Sequence, residues 1–140
     1  APRPDGSGVA TAMKDGLKEA KLNPSDIDYF NAHGTSTKLN DSGECKALHA
    51  VYGEETPLAS STKSMIGHLL GAAGGVEAII CLLAMRDGIA PPNINYDTPD
   101  PECVLNIVAN EAREVKISAT MSNSLGFGGH NASIILTKYD

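Results

Sequence analysis

The chain has no excess of basic residues and no long hydrophobic run. Its net charge is −6 over 140 residues. Because binding to nucleic acid depends on basic patches, we expect no nucleic-acid partner. The longest apolar run, Ile79 to Met85, is far too short to cross a bilayer, so we expect no membrane-spanning segment.

Cysteine is also scarce, and no metal-binding pattern is present. Cys45, Cys81 and Cys103 show neither an even count nor a CxxC spacing, which favours a reducing compartment over a disulfide framework. The histidines have no metal-ligand spacing with one another or with the cysteines, which disfavours zinc. We therefore expect a cytoplasmic protein, or a plastid or mitochondrial one in a eukaryote.

The residues that are present suffice for one α/β domain over residues 1–140, since 41% of them are hydrophobic. The first residues show neither an initiator Met nor a signal-peptide pattern and predict a loop inside a longer polypeptide. Apolar spacing, glycines and prolines predict helices at 8–22, 41–52 and 67–86, and strands at 27–31, 58–61, 117–123 and 132–138. This order favours a mixed, mostly parallel sheet covered by helices.

Specific residues set the predicted ends of the helices. Asp41 is expected to cap the second helix, with Glu44 completing a capping box and Gly53 closing the helix. Gly88 is expected to end the third helix.

Two short motifs carry the candidate chemistry. His33 follows the first predicted strand within Asn31-Ala32-His33-Gly34-Thr35-Ser36-Thr37, and His68 lies in Lys63-Ser64-Met65-Ile66-Gly67-His68 after the second. Open α/β sheets form ligand crevices at the carboxyl ends of their strands. Two imidazoles and an ammonium there can polarise a carbonyl and manage a proton near neutral pH. No cysteine or serine beside them has the pattern of an activated nucleophile.

Glycines surround the second motif and a later segment. Gly71, Gly74 and Gly75 weaken a helix, which indicates close packing or a site requirement. His68 is expected near the N-terminus of that helix, whose positive end favours neutral imidazole. The segment 126–129 offers backbone N–H groups for half of an oxyanion hole. It lacks the lysine and helix of a phosphate-binding loop.

Simpler interpretations stay open for each residue taken alone. A single loop histidine is more often capped or solvent-facing, and His49 and His130 are assigned that role. Cys81 fits a small core residue on an apolar helix face. Lys63 is either a surface lysine or a buried lysine paired with a glutamate.

Three long motifs together resemble the β-ketoacyl-[acyl-carrier-protein] synthases, and the resemblance runs along essentially the whole chain. They are NAHGTST at 31–37, TKSMIGHLLGAAG at 62–74 and NSLGFGGHN at 123–131. Departures are small: Leu125 stands where the family often has Phe, and residues 38–40 vary the turn after the first motif. The resemblance implies a thiolase-like fold, with this chain as the C-terminal half of a five-layer αβαβα architecture. The nucleophilic cysteine would belong to an N-terminal half absent from this chain.

The resemblance also implies roles for individual residues. His33 and His68 would bind the malonyl thioester carbonyl during decarboxylative condensation with an acyl primer, and Lys63 would act through Glu77, with Asp41 in a supporting position. Other family positions would bind the phosphopantetheine arm, gate the site or hold a monovalent cation. The arm-binding and gating positions are Thr35, Thr37, Phe127 and Gly128. The cation positions, for K⁺ or Na⁺, are Asn31, Glu44, Glu77, Asn123 and Ser124. No organic cofactor is implied.

The implied partners are an acyl carrier protein loaded with a malonyl or acyl group, the missing N-terminal half and a second copy of the enzyme. Two alternatives remain. The first is a non-catalytic partner subunit such as a chain-length factor, against which the retained His33, His68 and Lys63 argue. The second is a thiolase-like or hydrolytic enzyme, but residues 122–124 lack the cysteine that thiolases carry near their C-terminal glycine motif.

Overall fold

A computed structural model describes residues 6–34, 38–94, 105–125 and 130–139, and for residues 38–42 the backbone only. Its helices are α1 (Ser7–Ala20), α2 (Lys38–Tyr52), α3 (Lys63–Ile66) and α4 (Ala73–Asp87). Its strands are β1 (Tyr29–Asn31), β2 (Leu58–Ser60), β3 (Ile89–Ala90), β4 (Arg113–Glu114), β5 (Ala119–Leu125) and β6 (Asn131–Thr137).

The main sheet is mixed and has the order β2-β1-β5-β6. Strand β1 lies at its centre and pairs in parallel with both β2 and β5, whereas β6 pairs antiparallel with β5. Strands β3 and β4 form a separate antiparallel pair. The predicted mixed, mostly parallel sheet is therefore confirmed for the part of the chain that the structure describes.

Helices cover both faces of this sheet, because successive side chains of a strand point to opposite faces. Phe30 packs on one side with apolar residues of α1 and α2, among them Met13, Leu17 and Leu48. Tyr29 packs on the other side with Cys81 and Met85 of α4. The described residues thus form three layers, helix, sheet and helix.

Helix boundaries differ from the sequence prediction at two N-termini. Helix α2 begins at Lys38, so Asp41 lies inside the helix and is not its N-cap. Helix α4 begins at Ala73 and not at residue 67, because Gly67 adopts a φ of 76° and a short 3₁₀ turn occupies Leu70–Ala72. The C-terminal stop at Gly88, with a φ of 65°, is confirmed.

No helix in the described ranges combines the length and the apolar character needed to cross a membrane.

Candidate active site

Both histidine motifs leave the same edge of the sheet. Strand β1 ends at Asn31 and its parallel neighbour β2 ends at Ser60, with these two residues paired in register. Parallel strands bring their carboxyl ends together. His33 follows β1 by two residues, and Lys63 follows β2 by three. The topology therefore brings together the two loops that the sequence singled out.

A carboxylate from α2 holds the loop of the first motif. The backbone N–H of His33 donates to Oε1 of Glu44 over 2.8 Å, and the N–H of Gly34 donates to Oε2 over 3.0 Å. Glu44 is itself buried. The predicted capping box between Asp41 and Glu44 is wrong, because Asp41 sits within the helix and the Glu44 carboxylate binds the His33 loop instead.

The imidazole of His33 is buried and faces that of His68. The two rings meet edge to face, with centroids 5.4 Å apart and planes at 88°. Burial, followed by the nearby Lys63 and His68, lowers the pKa of His33 from its ordinary value of 6.5 to about 4. Nδ1 of His33 has no hydrogen-bond partner among the described residues. The ring is therefore neutral near pH 7, and its Nδ1 makes no hydrogen bond to the described residues.

His68 is exposed, and the main chain fixes its tautomer. The backbone N–H of Leu70 donates to Nδ1 of His68 over 3.2 Å. A nitrogen that accepts a hydrogen bond carries no proton, so in the neutral ring the proton resides on Nε2. The expected N-terminal helix end lies farther away, since α4 starts at Ala73. Donor character at Nε2 therefore follows from the loop rather than from the helix.

Lys63 and Glu77 form a buried ion pair between α3 and α4. Nζ of Lys63 contacts Oε1 of Glu77, and only 4% and 1% of their side chains are exposed. The interpretation of Lys63 as a surface lysine is thus wrong, and that of a buried lysine paired with a glutamate is confirmed. This pair places a positive charge beside His33.

A cavity of about 250 Å³ opens between the two loops. Its lining combines the two motifs with residues that sequence reasoning did not select. The lining residues are Gly34, Ser61, Lys63, Ser64, Gly67, His68 and Asn93. Ser61 and Ser64 lie close to Lys63 in sequence, so they could have been selected from that proximity. Asn93 comes from a distant loop, and no local sequence pattern indicates its place in the cavity.

Several predicted site residues cannot be compared with the structure. Thr35, Thr37, Phe127 and Gly128 lie outside the described residues. Asp41 is described only as part of the α2 backbone.

The predicted cation ligands differ in their partners. Oδ1 of Asn31 and Oε2 of Glu77 are buried oxygens without a hydrogen-bond partner in the described part of the chain. Oδ1 of Asn123, in contrast, accepts the hydroxyl of Ser133. Glu44 is occupied by two backbone N–H groups. Buried unpartnered oxygens suit a hard cation, and two of the predicted residues present them.

Neither cysteine within the described ranges is a thiolate candidate. Burial raises the pKa of the Cys81 thiol to about 11. Cys45 is buried and disulfide-bonded, which the sequence pattern did not predict. The third, Cys103, lies outside the described residues.

Comparison with known proteins identifies the family. The family model described as "Beta-ketoacyl synthase, C-terminal domain" matches residues 1–97. The chain belongs to the β-ketoacyl synthase family. This chain is 50% identical over 142 aligned residues to 3-oxoacyl-[acyl-carrier-protein] synthase 2 of Staphylococcus aureus (strain COL), and the alignment covers 100% of this chain and 34% of that protein.

Solved structures agree with this assignment. This chain superimposes on the ishigamide ketosynthase/chain length factor with a TM-score of 0.96 and 40% identity, covering 99% of this chain and 34% of that one. A ketosynthase solved in complex with its type II PKS acyl-carrier protein gives 0.95 and 35%, covering 99% and 35%. The expected thiolase-like α/β fold is confirmed. The chain spans about a third of the length of the relatives that it matches.

Proposed function

We propose that this chain is the C-terminal part of a β-ketoacyl-[acyl-carrier-protein] synthase. The complete enzyme joins a malonyl unit on an acyl carrier protein to an acyl primer in fatty acid biosynthesis, giving a 3-oxoacyl product and CO₂. The observation that carries the proposal is the edge-to-face pair of His33 and His68, 5.4 Å apart beside a buried Lys63–Glu77 ion pair. An imidazole that lines the cavity, in edge-to-face contact with a second imidazole, suits a reaction that develops charge on a carbonyl oxygen.

The imidazoles act in the decarboxylation step. The bond between the malonyl α-carbon and its carboxylate breaks, CO₂ leaves, and the electron pair passes into an enolate of the thioester. His68 donates from Nε2, and the neutral ring of His33 supplies the second hydrogen bond to the enolate oxygen. Such donors contribute most when they bind the developing charge more strongly than the ground state. The α-carbon then attacks the acyl thioester and expels its thiolate.

Lys63 supports the histidines through its charge. Because its ammonium is held by Glu77, it is not the proton acceptor of the reaction. Its positive charge helps to keep His33 neutral, as the lowered pKa indicates. A neutral His33 can donate a hydrogen bond without carrying its own positive charge through the reaction.

The remaining parts of the site follow from the family resemblance. Thr35 and Thr37 would bind the phosphopantetheine arm of the acyl carrier protein, and Phe127 and Gly128 would gate the cavity and complete an oxyanion hole. A ketosynthase of known structure was solved with its acyl-carrier protein, which supports that partner. A homodimer and a cytoplasmic location belong to the same proposal.

A monovalent cation, K⁺ or Na⁺, forms a separate part of the proposal. Asn31 and Glu77 would hold it through the oxygens that have no partner among the described residues. Glu44, Asn123 and Ser124 would complete the set. Such an ion would supply fixed positive charge beneath the two loops and order their backbone.

An N-terminal polypeptide would complete this chain and carry the nucleophilic cysteine. The relatives are about three times as long, and α4 leaves Ile79, Leu82 and Leu83 exposed on one face. An apolar face of this kind is typical of an interface. We therefore expect the isolated chain not to form an acyl-enzyme. Incubation with an acyl-carrier thioester and intact-mass measurement tests this, and a stable acyl adduct would contradict it.

Substitution of the histidines tests the proposed step. In the complete enzyme, His33→Ala and His68→Ala are each expected to lower decarboxylation of malonyl carrier protein by roughly 100-fold or more, because each removes a donor to the enolate. Acylation of the cysteine should stay near the unsubstituted rate, as measured by mass spectrometry in the same samples. Lost acylation with preserved decarboxylation would assign the histidines to the other half-reaction.

A chain-length-factor-like subunit is the second candidate function. It is supported by the similarity to the ishigamide ketosynthase/chain length factor. A catalytic enzyme has a cysteine at the strand-to-helix turn of the preceding N-terminal part, whereas a shaping subunit lacks it. The sequence of the preceding polypeptide decides between the two.

A further inference from the structure

The turn that carries Lys63 makes three hydrogen bonds with one distant segment, residues 91–94. The hydroxyl of Ser60 donates to the carbonyl of Pro91 over 2.7 Å. The N–H of Ser61 donates to Oδ1 of Asn93 over 3.0 Å. These contacts fix the turn at the point where the chain leaves β2 and enters the site.

The third contact lies one residue beyond Lys63. The backbone N–H of Ile94 donates to the hydroxyl of Ser64 over 3.0 Å. Segment 91–94 therefore contacts the turn both before and after the lysine.

The backbone of Asn93 is itself hydrogen-bonded to the segment 108–110. Its backbone N–H donates to the carbonyl of Val108 over 2.7 Å, and its carbonyl accepts the N–H of Asn110 over 2.9 Å. It also forms a parallel bridge with Ala109. The side chain of Asn93 thus extends from a fixed backbone, and its amide oxygen is a stationary acceptor.

Ser61 connects this acceptor to the other histidine loop. Its hydroxyl lies 3.4 Å from the carbonyl oxygen of His33 and 3.3 Å from that of Gly34. The two loops touch closely, since a Cβ on Gly34 would come within 2.5 Å of the Ser61 Cβ. Movement of Ser61 would therefore displace both motifs together.

We propose that Asn93 is a positioning residue for the two imidazoles. By accepting the Ser61 N–H, it sets the place of Ser61 between the His33 loop and the turn that leads to His68. Asn93 also lines the cavity, but the role proposed for it is exerted through these neighbours and not through contact with the reacting atoms. The proposal rests on the proposed function for its catalytic consequence, but its geometric content is independent of that function.

The test uses the complete protein with Asn93→Ala, Asn93→Asp and the control Asn106→Leu. Alanine removes the acceptor, whereas aspartate keeps an oxygen that can accept the Ser61 N–H. The Asn106 side chain is exposed and lies in the segment 105–110, which also holds the Asn93 backbone. It makes none of the contacts described above. Two-dimensional NMR of the histidine rings reports geometry, and decarboxylation of malonyl carrier protein reports function.

Asn93→Ala is expected to shift the ring signals of His33 and His68 while those of His49 and His130 stay in place. It should lower kcat for decarboxylation on the order of 10- to 100-fold, as small misplacements of reacting groups do, with KM changed less than about threefold. Asn93→Asp should restore the ring signals and most of kcat. Asn106→Leu should match the unsubstituted protein in both measurements.

Unchanged His33 and His68 signals in Asn93→Ala would overturn the proposal, whatever the activity. If that variant fails to fold, Asn93→Asp decides alone, and displaced ring signals in it would also overturn the proposal. If the rings move as expected but the unsubstituted protein does not decarboxylate malonyl carrier protein, the positioning role stands and the proposed function fails.

Discussion

At the scale of single residues, the chemistry of the site depends on the protonation state of each imidazole. Burial, followed by the nearby Lys63 and His68, lowers the pKa of His33 to about 4, so its ring is neutral at physiological pH. The neutral ring of His68 carries no proton on Nδ1, because that nitrogen accepts a hydrogen bond from the Leu70 N–H. The state of His33 thus depends on Lys63 and His68 as well as on burial, whereas the proton position in His68 depends on the main chain alone.

The neutral state of His33 predicts a stability effect with a definite sign. In the unfolded chain His33 takes up a proton near pH 6.5, whereas in the folded chain it does so near pH 4. As the pH falls between these values, the unfolded state binds more protons and the free energy of unfolding decreases. His33→Gln should remove this contribution.

Urea denaturation of the complete protein at about pH 7.5, 5.5 and 4.5 measures the effect. The stability advantage of the unsubstituted protein over His33→Gln is expected to shrink steadily toward the lowest pH. A constant difference at all three pH values would mean that His33 titrates normally in the folded protein.

Sequence reasoning identified His33 and His68 because each stands beside a glycine in a motif that follows a predicted strand, and Lys63 because it lies between the second strand and His68. It did not find Asn93, because the contact with Ser61 joins positions 32 residues apart. It misassigned Glu44, since a capping box and a carboxylate reaching to another loop are identical in local sequence. Local patterns report local contacts, and these two contacts are long-range.

At the scale of elements, the ion pair between α3 and α4 is the main polar connection beneath the site. Glu77→Leu would leave the Lys63 ammonium buried without its carboxylate, and breaking a buried pair costs about 3–5 kcal/mol. The double variant Lys63→Met with Glu77→Leu should recover much of this loss, because it buries no charge. Urea denaturation of the three proteins measures both effects.

A single Glu77→Leu variant as stable as the double variant would contradict this reasoning. Neither protein is expected to retain decarboxylase activity, since both alter the charge beside His33. Stability and activity should therefore separate in the double variant.

Elements were predicted well where the apolar period was long and poorly where glycines interrupted it. Helix α1 and strands β5 and β6 lie close to their predicted bounds. The start of α4 was placed too early, because residues 67–72 form a turn at Gly67 and a 3₁₀ turn. Strands β3 and β4, with two residues each, are too short to show a period.

At the scale of the whole molecule, α4 has one face on the sheet and one face open. Gly74 packs against Ser124, where an added Cβ would lie 3.1 Å from the hydroxyl oxygen. Gly75 has nothing within 4 Å among the described residues and shares the open face with Ile79 and Leu83. The close packing predicted from the glycines is thus present at Gly74.

This open face predicts that the isolated chain self-associates. Sedimentation velocity should show concentration-dependent oligomers, and the double substitution Ile79→Ser with Leu83→Ser should shift the chain toward monomer. Ile134→Ser, at an exposed apolar position on β6, serves as the matched control and should leave the distribution unchanged. A monomeric unsubstituted chain, or equal effects of both substitutions, would contradict an interface on α4.

The overall α/β class was predictable because strands and helices alternate along most of the chain. The layer order was not, because the sequence does not state which face of α4 meets the sheet. Glu77, Cys81 and Ala84 are buried, whereas Ile79, Leu82 and Leu83 are exposed. Hydrophobicity alone would assign those faces the other way round.

The parallel pairing of β1 with β2 sets the distance between the points where the two histidine loops begin. Neighbouring strands lie about 4.8 Å apart because peptide hydrogen bonds have a fixed length. His33 lies two residues beyond β1 and His68 eight residues beyond β2, so contacts within and between the two loops also hold the rings at their separation of 5.4 Å. The strand pairing therefore sets where the loops begin, and contacts such as that of Asn93 with Ser61 set the final position of the rings. Substitution of a pocket residue that makes none of these contacts would leave the relative position of the two rings unchanged.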